Sequence, residues 1–311
     1  MKLNNMKIPK QYELQDGIIY YIETARRDVK SDISLCITAY EGTAEFLVIP
    51  SRIDNKLVTA ITKKAFWGNR CLQHIVLPDT IDSIGDWAFS ACYMLRDITL
   101  PYREINFGKQ IFHKSEKMHE IFISDSVMEK DKAIPKLLAM AVTVLEAEYL
   151  LNPIQAGSDN WYQNLDSKIL TVLNESEESA LKNLVYCAEE DMGAKQEACL
   201  RALAYKKAEI AFTRLMYSNK ITDVIKRTLA DFLLLRTKGC EDESAWEFVK
   251  ESHNMGLQYC DILFEINGIN EENISEALDD LGEDNVELKA YVLKKWQSKA
   301  QSVNIWEALE L

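Results

Sequence analysis

The sequence predicts an α+β protein in two parts, a short β-rich solenoid followed by an all-α domain of helical repeats. A 23-residue repeat runs from Ile61 to residue 124, and the spacing of apolar residues changes from about two to about 3.6 near Ala133. The net charge of −13 arises entirely after residue 135. We expect a β cap with about three repeats in residues 1–131, and stacked helix pairs in residues 132–311.

The repeat appears when three successive blocks are aligned as ITKKAFWGNRCLQHIVLP, IGDWAFSACYMLRDITLP and FGKQIFHKSEKMHEIFIS. Five apolar columns share this register. They are Ile61, Ile84 and Phe107; Phe66, Phe89 and Phe112; Leu72, Leu95 and Met118; Ile75, Ile98 and Ile121; and Leu77, Leu100 and Ile123. A single coil cannot bury its apolar side alone, so the coils must stack and the columns become buried ladders. The three phenylalanines are therefore expected in one ladder.

Each block ends in a short strand. Alternation at Ile75 and Leu77 points both side chains inward, and Pro78 closes the strand because it cannot donate to the next coil. Gly85 and Gly108 are expected at tight backbone positions. The third block has no closing proline, which indicates a terminal coil.

The pattern AF…L..I.LP…I..IG..AF resembles the BspA-like (Treponema-type) leucine-rich repeat. The preceding segment ITAYEGTAEFLVIPSRIDNKLVTAI, residues 37–61, resembles the first β-structure of that family. The resemblance covers roughly residues 10–124. It implies a leucine-rich-repeat solenoid that binds proteins or surface ligands, and it brings no catalytic residues. Many relatives are exported surface proteins with many copies, whereas this chain has few copies and shows no export signal.

The outward positions of the repeat strands are the candidate binding residues, because the buried columns fix the backbone and leave these positions free to vary. They are Gln73, His74, Val76, Arg96, Asp97, Thr99, His119, Glu120 and Phe122. The alternative is that these side chains are only solvated. Both interpretations remain open at this point.

The second part is predicted to be helical from its apolar periodicity and its Gly and Asn breaks. The expected helices are roughly 136–151, 194–207, 208–218, 220–236, 243–254, 256–266, 271–281 and 284–299. A 30-residue leucine spacing suggests stacked helix pairs; it consists of Leu173, Leu203, Leu233, Leu263 and Leu293. The segment AYVLKKW, residues 290–296, resembles the second helix of ankyrin-type repeats, although no ankyrin turn motif is present.

Charge distribution excludes some partners. Residues 1–135 hold 18 Lys and Arg against 18 Asp and Glu, whereas residues 241–287 hold 15 acids and the single base Lys250. Such a surface repels phosphate backbones and anionic lipids, so neither nucleic acid nor membrane insertion is expected. A basic or neutral protein surface is the expected partner of this segment. The alternative is a set of solvated helix faces.

Enzyme chemistry finds little support in the sequence. It has no phosphate loop, dinucleotide loop or nucleophile elbow, and only four histidines. Cys71 and His74 lie three residues apart, but His74 is expected to face outward beside Asp97. We therefore expect no catalytic residues, no metal site and no cofactor.

The seven cysteines are an odd number without close pairs, which favours free thiols in a reducing compartment. No signal peptide or transmembrane segment is recognised, so the cytoplasm is the expected location. The sequence thus predicts a non-enzymatic protein-interaction scaffold. The alternatives are an exported, adhesin-like surface binder and an enzyme with a dispersed site in the helical part.

Overall fold

The structure, a computed structural model, describes residues 9–25, 33–124, 131–176, 192–252 and 255–309. A β solenoid precedes a helical region, which confirms the predicted fold class. The chain divides into two compact units, Met1–Lys168 and Ile169–Leu311. The first helix, Ala133–Thr143, packs against the last solenoid strand and so belongs to the first unit.

Eleven strands lie in the described part of the chain. They are β1 (Lys10–Leu14), β2 (Gly17–Ala25), β3 (Ile33–Gly42), β4 (Phe46–Val48), β5 (Arg52–Ile53), β6 (Lys56–Ile61), β7 (His74–Val76), β8 (Ser83–Ile84), β9 (Asp97–Pro101), β10 (Asn106–Phe107) and β11 (Glu120–Ser124). One sheet has the order β1-β2-β3-β6-β8-β10, with β5 beside β6, and a second sheet has the order β11-β9-β7-β4. The strands of successive coils pair in parallel, whereas β1, β2 and β3 form an antiparallel cap.

The predicted phenylalanine ladder is confirmed. The rings of Phe66 and Phe89 stack at 4.9 Å between centroids, and those of Phe89 and Phe112 at 5.8 Å. All three side chains are buried, at 1%, 0% and 4% exposure. The strand columns agree with this register, since Ile75 pairs with Ile98 and Ile98 with Ile121. The coils therefore stack around a continuous apolar core.

A further coil precedes the three that the aligned blocks reveal. Ile37 pairs with Ile61, Leu47 pairs with Ile75, and the ring of Tyr40 lies 5.5 Å from that of Phe66. Tyr40 is 26 residues before Phe66, because the β5–β6 hairpin lengthens this coil. The insertion breaks the 23-residue register, which is why alignment of the blocks leaves this coil out.

The turns around the core use left-handed backbone. Two such positions recur at the 23-residue spacing; they are Lys64, Trp87 and Gln110, and Gly68, Ala91 and Lys114. A β-carbon added at Gly85 would lie 2.5 Å from the backbone nitrogen of Lys63, and one at Gly108 would lie 2.4 Å from that of Asp86. These glycines thus let adjacent coils approach closely, as the sequence predicts.

Helix α1 (Ala133–Thr143) covers the end of the solenoid. It packs against β11 through a face that includes the buried residues Ile134, Leu137 and Leu138. A 3₁₀ turn, Glu148–Leu150, follows, and the carbonyl of Leu150 accepts a 2.8 Å hydrogen bond from Trp161 Nε1. The third repeat, which the sequence predicts to be the terminal coil, is therefore covered by helix α1.

The remaining helices are α2 (Asp159–Leu173), α3 (Met192–Met216), α4 (Asp223–Leu234), α5 (Ser244–Glu251), α6 (Gly256–Glu265), α7 (Ile274–Leu281) and α8 (Val286–Leu309). The stretches expected separately at 194–207 and 208–218 form the single helix α3, since no Gly, Pro or Asn interrupts the chain between them. Thr222 caps α4, its hydroxyl accepting from the backbone nitrogen of Ile225 at 3.3 Å.

The last four helices follow a 30-residue spacing. Helices α5 and α7 begin at Ser244 and Ile274, and α6 and α8 begin at Gly256 and Val286. Within these, α5 packs against α6, α7 against α8, and α6 against α8. Leu263 is buried, but Leu293 is 42% exposed, and the neighbouring Val292 is the buried residue. The 30-residue leucine spacing thus equals the spacing of the helix starts. In α8, however, the buried residue is Val292, one position before the leucine that the spacing predicts.

Candidate binding surface

The outer face of the sheet β4-β7-β9-β11 carries the predicted binding residues. Within each strand the central isoleucine or leucine is buried, and its two neighbours face outward. Six of the nine predicted residues occupy these outward positions; they are His74, Val76, Asp97, Thr99, Glu120 and Phe122. Gln73, Arg96 and His119 directly precede the strands. The structure therefore places all nine along one sheet.

Backbone hydrogen bonds align these residues into rows across the strands. The carbonyl of Gln73 accepts from the nitrogen of Arg96 at 2.8 Å, and the carbonyl of Arg96 accepts from the nitrogen of His119 at 2.9 Å. His74 and Asp97 are Cα partners in a second row, which Glu120 continues. The third row contains Val76, Thr99 and Phe122.

The polar rows are partly paired within the surface. His74 Nδ1 lies 2.6 Å from the Asp97 carboxylate, and Lys136 of α1 lies 3.2 Å from that of Glu120. Arg96 is exposed, and its guanidinium has no ion-pair partner in the described part of the chain. The surface therefore offers one unpaired cation beside a fixed His–Asp pair.

The structure adds two residues to this surface. Phe46 pairs with His74 and Val48 with Val76, so β4 extends two of the rows to a fourth strand. Their side chains are 60% and 54% exposed. Sequence reasoning missed them because the inserted hairpin moves this coil out of register. The signal is present in the similarity of FLVIP, residues 46–50, to HIVLP, residues 74–78.

A second exposed cluster, of lysine and tryptophan side chains, lies at the turns of the solenoid. Lys63 Nζ is 4.4 Å from the ring centroid of Trp87, and Lys64 Nζ is 5.4 Å from those of Trp67 and Trp87. Trp67 is 58% exposed. The two lysine ammonium groups therefore make cation–π contacts with the tryptophan rings.

Neither the buried thiol of Cys92 nor the cavity beside the last coil has the features of a reactive site. Burial raises the pKa of Cys92 to about 12, so this thiol is not a nucleophile at neutral pH. A cavity of about 260 Å³ lies between the last coil and α1. Its Ser115 hydroxyl donates to the carbonyl of Phe89 at 2.8 Å and serves the core. Among the described residues, no group of three or more His, Cys, Asp or Glu has the arrangement of a metal site.

The acid-rich segment of the second unit is partly neutralised internally. Lys250 lies 2.8 Å from Glu247 and 2.7 Å from Asp280, and Trp246 Nε1 donates to Asp280 at 2.7 Å. Burial alone would raise the pKa of Asp280, but the hydrogen bonds from Lys250 and Trp246 hold it below the usual value. Four exposed acids lie between the end of α7 and the start of α8 and have no ion pair among the described residues; they are Asp279, Glu283, Asp284 and Glu287. We call these four residues the acid patch.

Comparison with known proteins identifies the repeat. Residues 47–134 match the model of the BspA type leucine rich repeat region, in agreement with the family that the 23-residue repeat resembles. No curated protein is significantly similar to the chain. No helix in the described ranges is both long and apolar enough to cross a membrane.

Several solved structures are similar over part of the chain. A leucine-rich repeat protein of T. pallidum is 32% identical over 32% of this chain and 46% of its own, with a TM-score of 0.29. A leucine-rich cell surface protein of Faecalibacterium prausnitzii is 21% identical over 38% of this chain and 32% of its own, with a TM-score of 0.30. A leucine-rich repeat protein of Bacteroides capillosus is 16% identical over 37% of this chain and 99% of its own, with a TM-score of 0.26. The chain thus spans less than half the length of the first two.

Proposed function

We propose that the chain is a non-enzymatic protein-interaction scaffold that binds a protein through the outer face of β4-β7-β9-β11. The observation that supports this most directly is the ordered array on that face. Buried isoleucines and leucines hold the backbone of each strand, while the outward rows change chemistry from strand to strand. Rigid, regularly spaced positions with variable side chains are how repeat proteins build binding surfaces.

The chemistry of the face suits a protein partner. Phe46, Val48 and Phe122 supply apolar area, whereas Arg96 supplies a charge whose guanidinium can form paired hydrogen bonds with a carboxylate. Aromatic residues and arginine are the residue types that most often carry binding energy at protein interfaces. The paired His74 and Asp97 lie between them and need no further partner.

A pull-down from the native cell with two matched variants tests this proposal. Thr99→Arg places a long side chain at the centre of the face, and Thr62→Arg makes the same change just after β6, in the other sheet. We expect the wild-type chain and Thr62→Arg to retain one or more proteins that Thr99→Arg does not retain. Circular dichroism of each variant confirms that the fold is retained. If the two variants retain the same proteins as the wild type, the face is not the binding surface.

We place this interaction in the cytoplasm. The six cysteines of the described residues, Cys36, Cys71, Cys92, Cys199, Cys240 and Cys260, are all free thiols, which supports a reducing compartment. Fractionation of native cells, followed by immunoblotting, is expected to find the chain with the cytoplasmic markers. Recovery on the cell surface would contradict this placement and favour an adhesin-like role.

A further inference from the structure

We propose that the open edge of β4 binds an extended peptide segment of a partner protein as an additional strand. The segment would carry apolar residues at alternate positions next to a lysine or arginine. This inference shares Phe46 and Val48 with the outer face of the proposed function, but it depends on the backbone groups of the edge, so different variants test the two.

The hydrogen-bonding pattern of β4 shows which backbone groups face this edge. The carbonyl of Glu45 accepts from the nitrogens of Gln73 and His74 at 2.8 and 2.9 Å, and the nitrogen of Ile49 donates to the carbonyl of Val76 at 2.9 Å. In a parallel pair, alternate residues of one strand bond to the same neighbour. Residues 45, 47 and 49 therefore bond to β7, and the N–H and C=O groups of Phe46 and Val48 point the opposite way.

None of these four groups has a strand partner in the part of the chain that the structure describes. Among the described residues this sheet ends at β4, whereas the other sheet continues past β3, the strand of the same coil, with β2 and β1. Across the residues that the structure describes, no backbone or side-chain hydrogen bond reaches the N–H or C=O of Phe46 or Val48. Such an edge is a ready template for pairing with another chain. The antiparallel cap thus covers one sheet of the first coil and leaves the edge of the other open.

The side chains beside the edge indicate what the added strand would carry. An adjacent strand lies about 4.8 Å away, which brings its outward side chains into contact with those of Phe46 and Val48. Because these two are 60% and 54% exposed, apolar residues at alternate positions of the peptide would bury them. Glu45, which directly precedes β4, is exposed, and residues 33–51 contain no Lys, Arg or His. A basic residue next to the apolar pair would complement this charge.

A peptide fits this edge better than a second copy of the chain. The strand β4 has three residues, so pairing two such edges would create a short ladder. Stable homodimers generally bury upward of about 1,200 Å². A peptide needs only the edge hydrogen bonds and two apolar contacts for weak, specific binding, as in other cases of strand addition.

Fluorescence anisotropy with a synthetic peptide tests the proposal on the full chain. The probe is a fluorescein-labelled, end-capped peptide of sequence Lys-Thr-Val-Thr-Val-Thr-Lys. Two further forms carry N-methyl groups, one on its valines and the other on its threonines. Since only one set of N–H groups in an added strand faces β4, one methylated form should bind like the parent and the other should lose binding. Equal binding of both forms, or no binding by the parent at about 1 mM, overturns the proposal.

A variant of the chain provides the complementary measurement. Val48→Pro removes an edge N–H without removing a hydrogen bond to β7, which is the arrangement in which strands tolerate proline. It should weaken peptide binding at least about ten-fold relative to Val48→Thr, the matched control that keeps the N–H and the branched side chain. Equal affinities would overturn the proposal, and the methylated peptides decide the matter if Val48→Pro does not fold.

Two controls separate this inference from its alternatives. Thr99→Arg, which disrupts the outer face, should leave peptide binding unchanged; loss of peptide binding there would assign the peptide to the face and overturn the edge proposal. Light scattering of the wild-type chain should show a monomer. A dimer that Val48→Pro converts to monomer would identify a second copy as the occupant, and would likewise overturn the proposal.

Discussion

Truncation of the central phenylalanine should destabilise the solenoid more than truncation of the terminal one. Phe89 is fully buried, and its ring stacks on Phe66 at 4.9 Å and on Phe112 at 5.8 Å. Phe89→Ala therefore removes two ring contacts and opens a cavity with coils on both sides. Truncation of a core phenylalanine costs about 3–5 kcal/mol where the cavity cannot collapse. We expect Phe89→Ala to lie in the upper half of that range.

The terminal position is different in two respects. Phe112 stacks on one ring, and it borders the cavity of about 260 Å³ between the last coil and α1. Phe112→Ala therefore loses one aromatic contact fewer, a difference of about 0.5–1.5 kcal/mol. The space it creates joins an existing cavity that contains polar groups and admits water, which further reduces the cost. We expect Phe112→Ala to be less destabilising by about 1 kcal/mol.

Hydrogen exchange read out by mass spectrometry is the suitable assay, because a chain with two compact units need not unfold in one step. Protection of β7 and β9 should fall more in Phe89→Ala than in Phe112→Ala. Phe212→Ala in α3 is the control, since Phe212 is also fully buried and stacks on Tyr259 at 4.9 Å in the second unit. Equal or greater loss in Phe112→Ala would refute the assignment of the third repeat as the terminal coil.

Two further predictions concern the charged groups of the second unit. Burial raises the pKa of Glu209 in α3, so its carboxyl ionises less readily in the folded chain than in the unfolded one, and folding loses stability as the pH rises through the unfolded value. Compared with the wild type at the same pH, Glu209→Gln should therefore increase the hydrogen-exchange protection of α3 near neutral pH and change it little near pH 4; unchanged protection at neutral pH would contradict this. For a basic partner found by pull-down, changing Asp279, Glu283 and Asp284 to Lys should slow association more than it changes dissociation, with the wild-type rate falling as salt is added. Asp280 is left unchanged because its carboxylate accepts hydrogen bonds from Trp246 and Lys250. If neither salt nor the charge reversal changes the association rate, the acid patch is only a solvated surface.

The solenoid could be predicted residue by residue wherever the 23-residue register holds. Phe66, Phe89 and Phe112 share one environment in the structure because identical spacing places them at the same point of successive coils. The 23-residue alignment does not include the first coil, because the β5–β6 hairpin changes the spacing between Tyr40 and the phenylalanine of the next coil. A column in a solenoid is defined by pairing in space, and an insertion between two coils changes the sequence spacing without changing the pairing.

The helical part was less predictable, because helix packing tolerates more than one register. Tyr259 and Leu288 are both buried, as are Leu263 and Val292, so buried positions in α6 and α8 recur after 29 residues although the helices begin 30 apart. A shift of one residue turns a helix by about 100°, which is enough to expose Leu293. Sequence periodicity therefore located the helices better than it located their buried faces.

The two halves of the binding hypothesis depend on different kinds of information. The outer face follows from side-chain alternation, which has a period of two and can be read from the chain at His74, Val76 and their equivalents. The open edge of β4 cannot be read in this way, because the direction of a backbone N–H matters only once the neighbours of the strand are known. Phe46 and Val48 would be ordinary interior ladder residues if another coil preceded theirs. Their free N–H and C=O groups follow from the position of β4 at the end of its sheet, and it is this position that makes an added strand the chemistry to test.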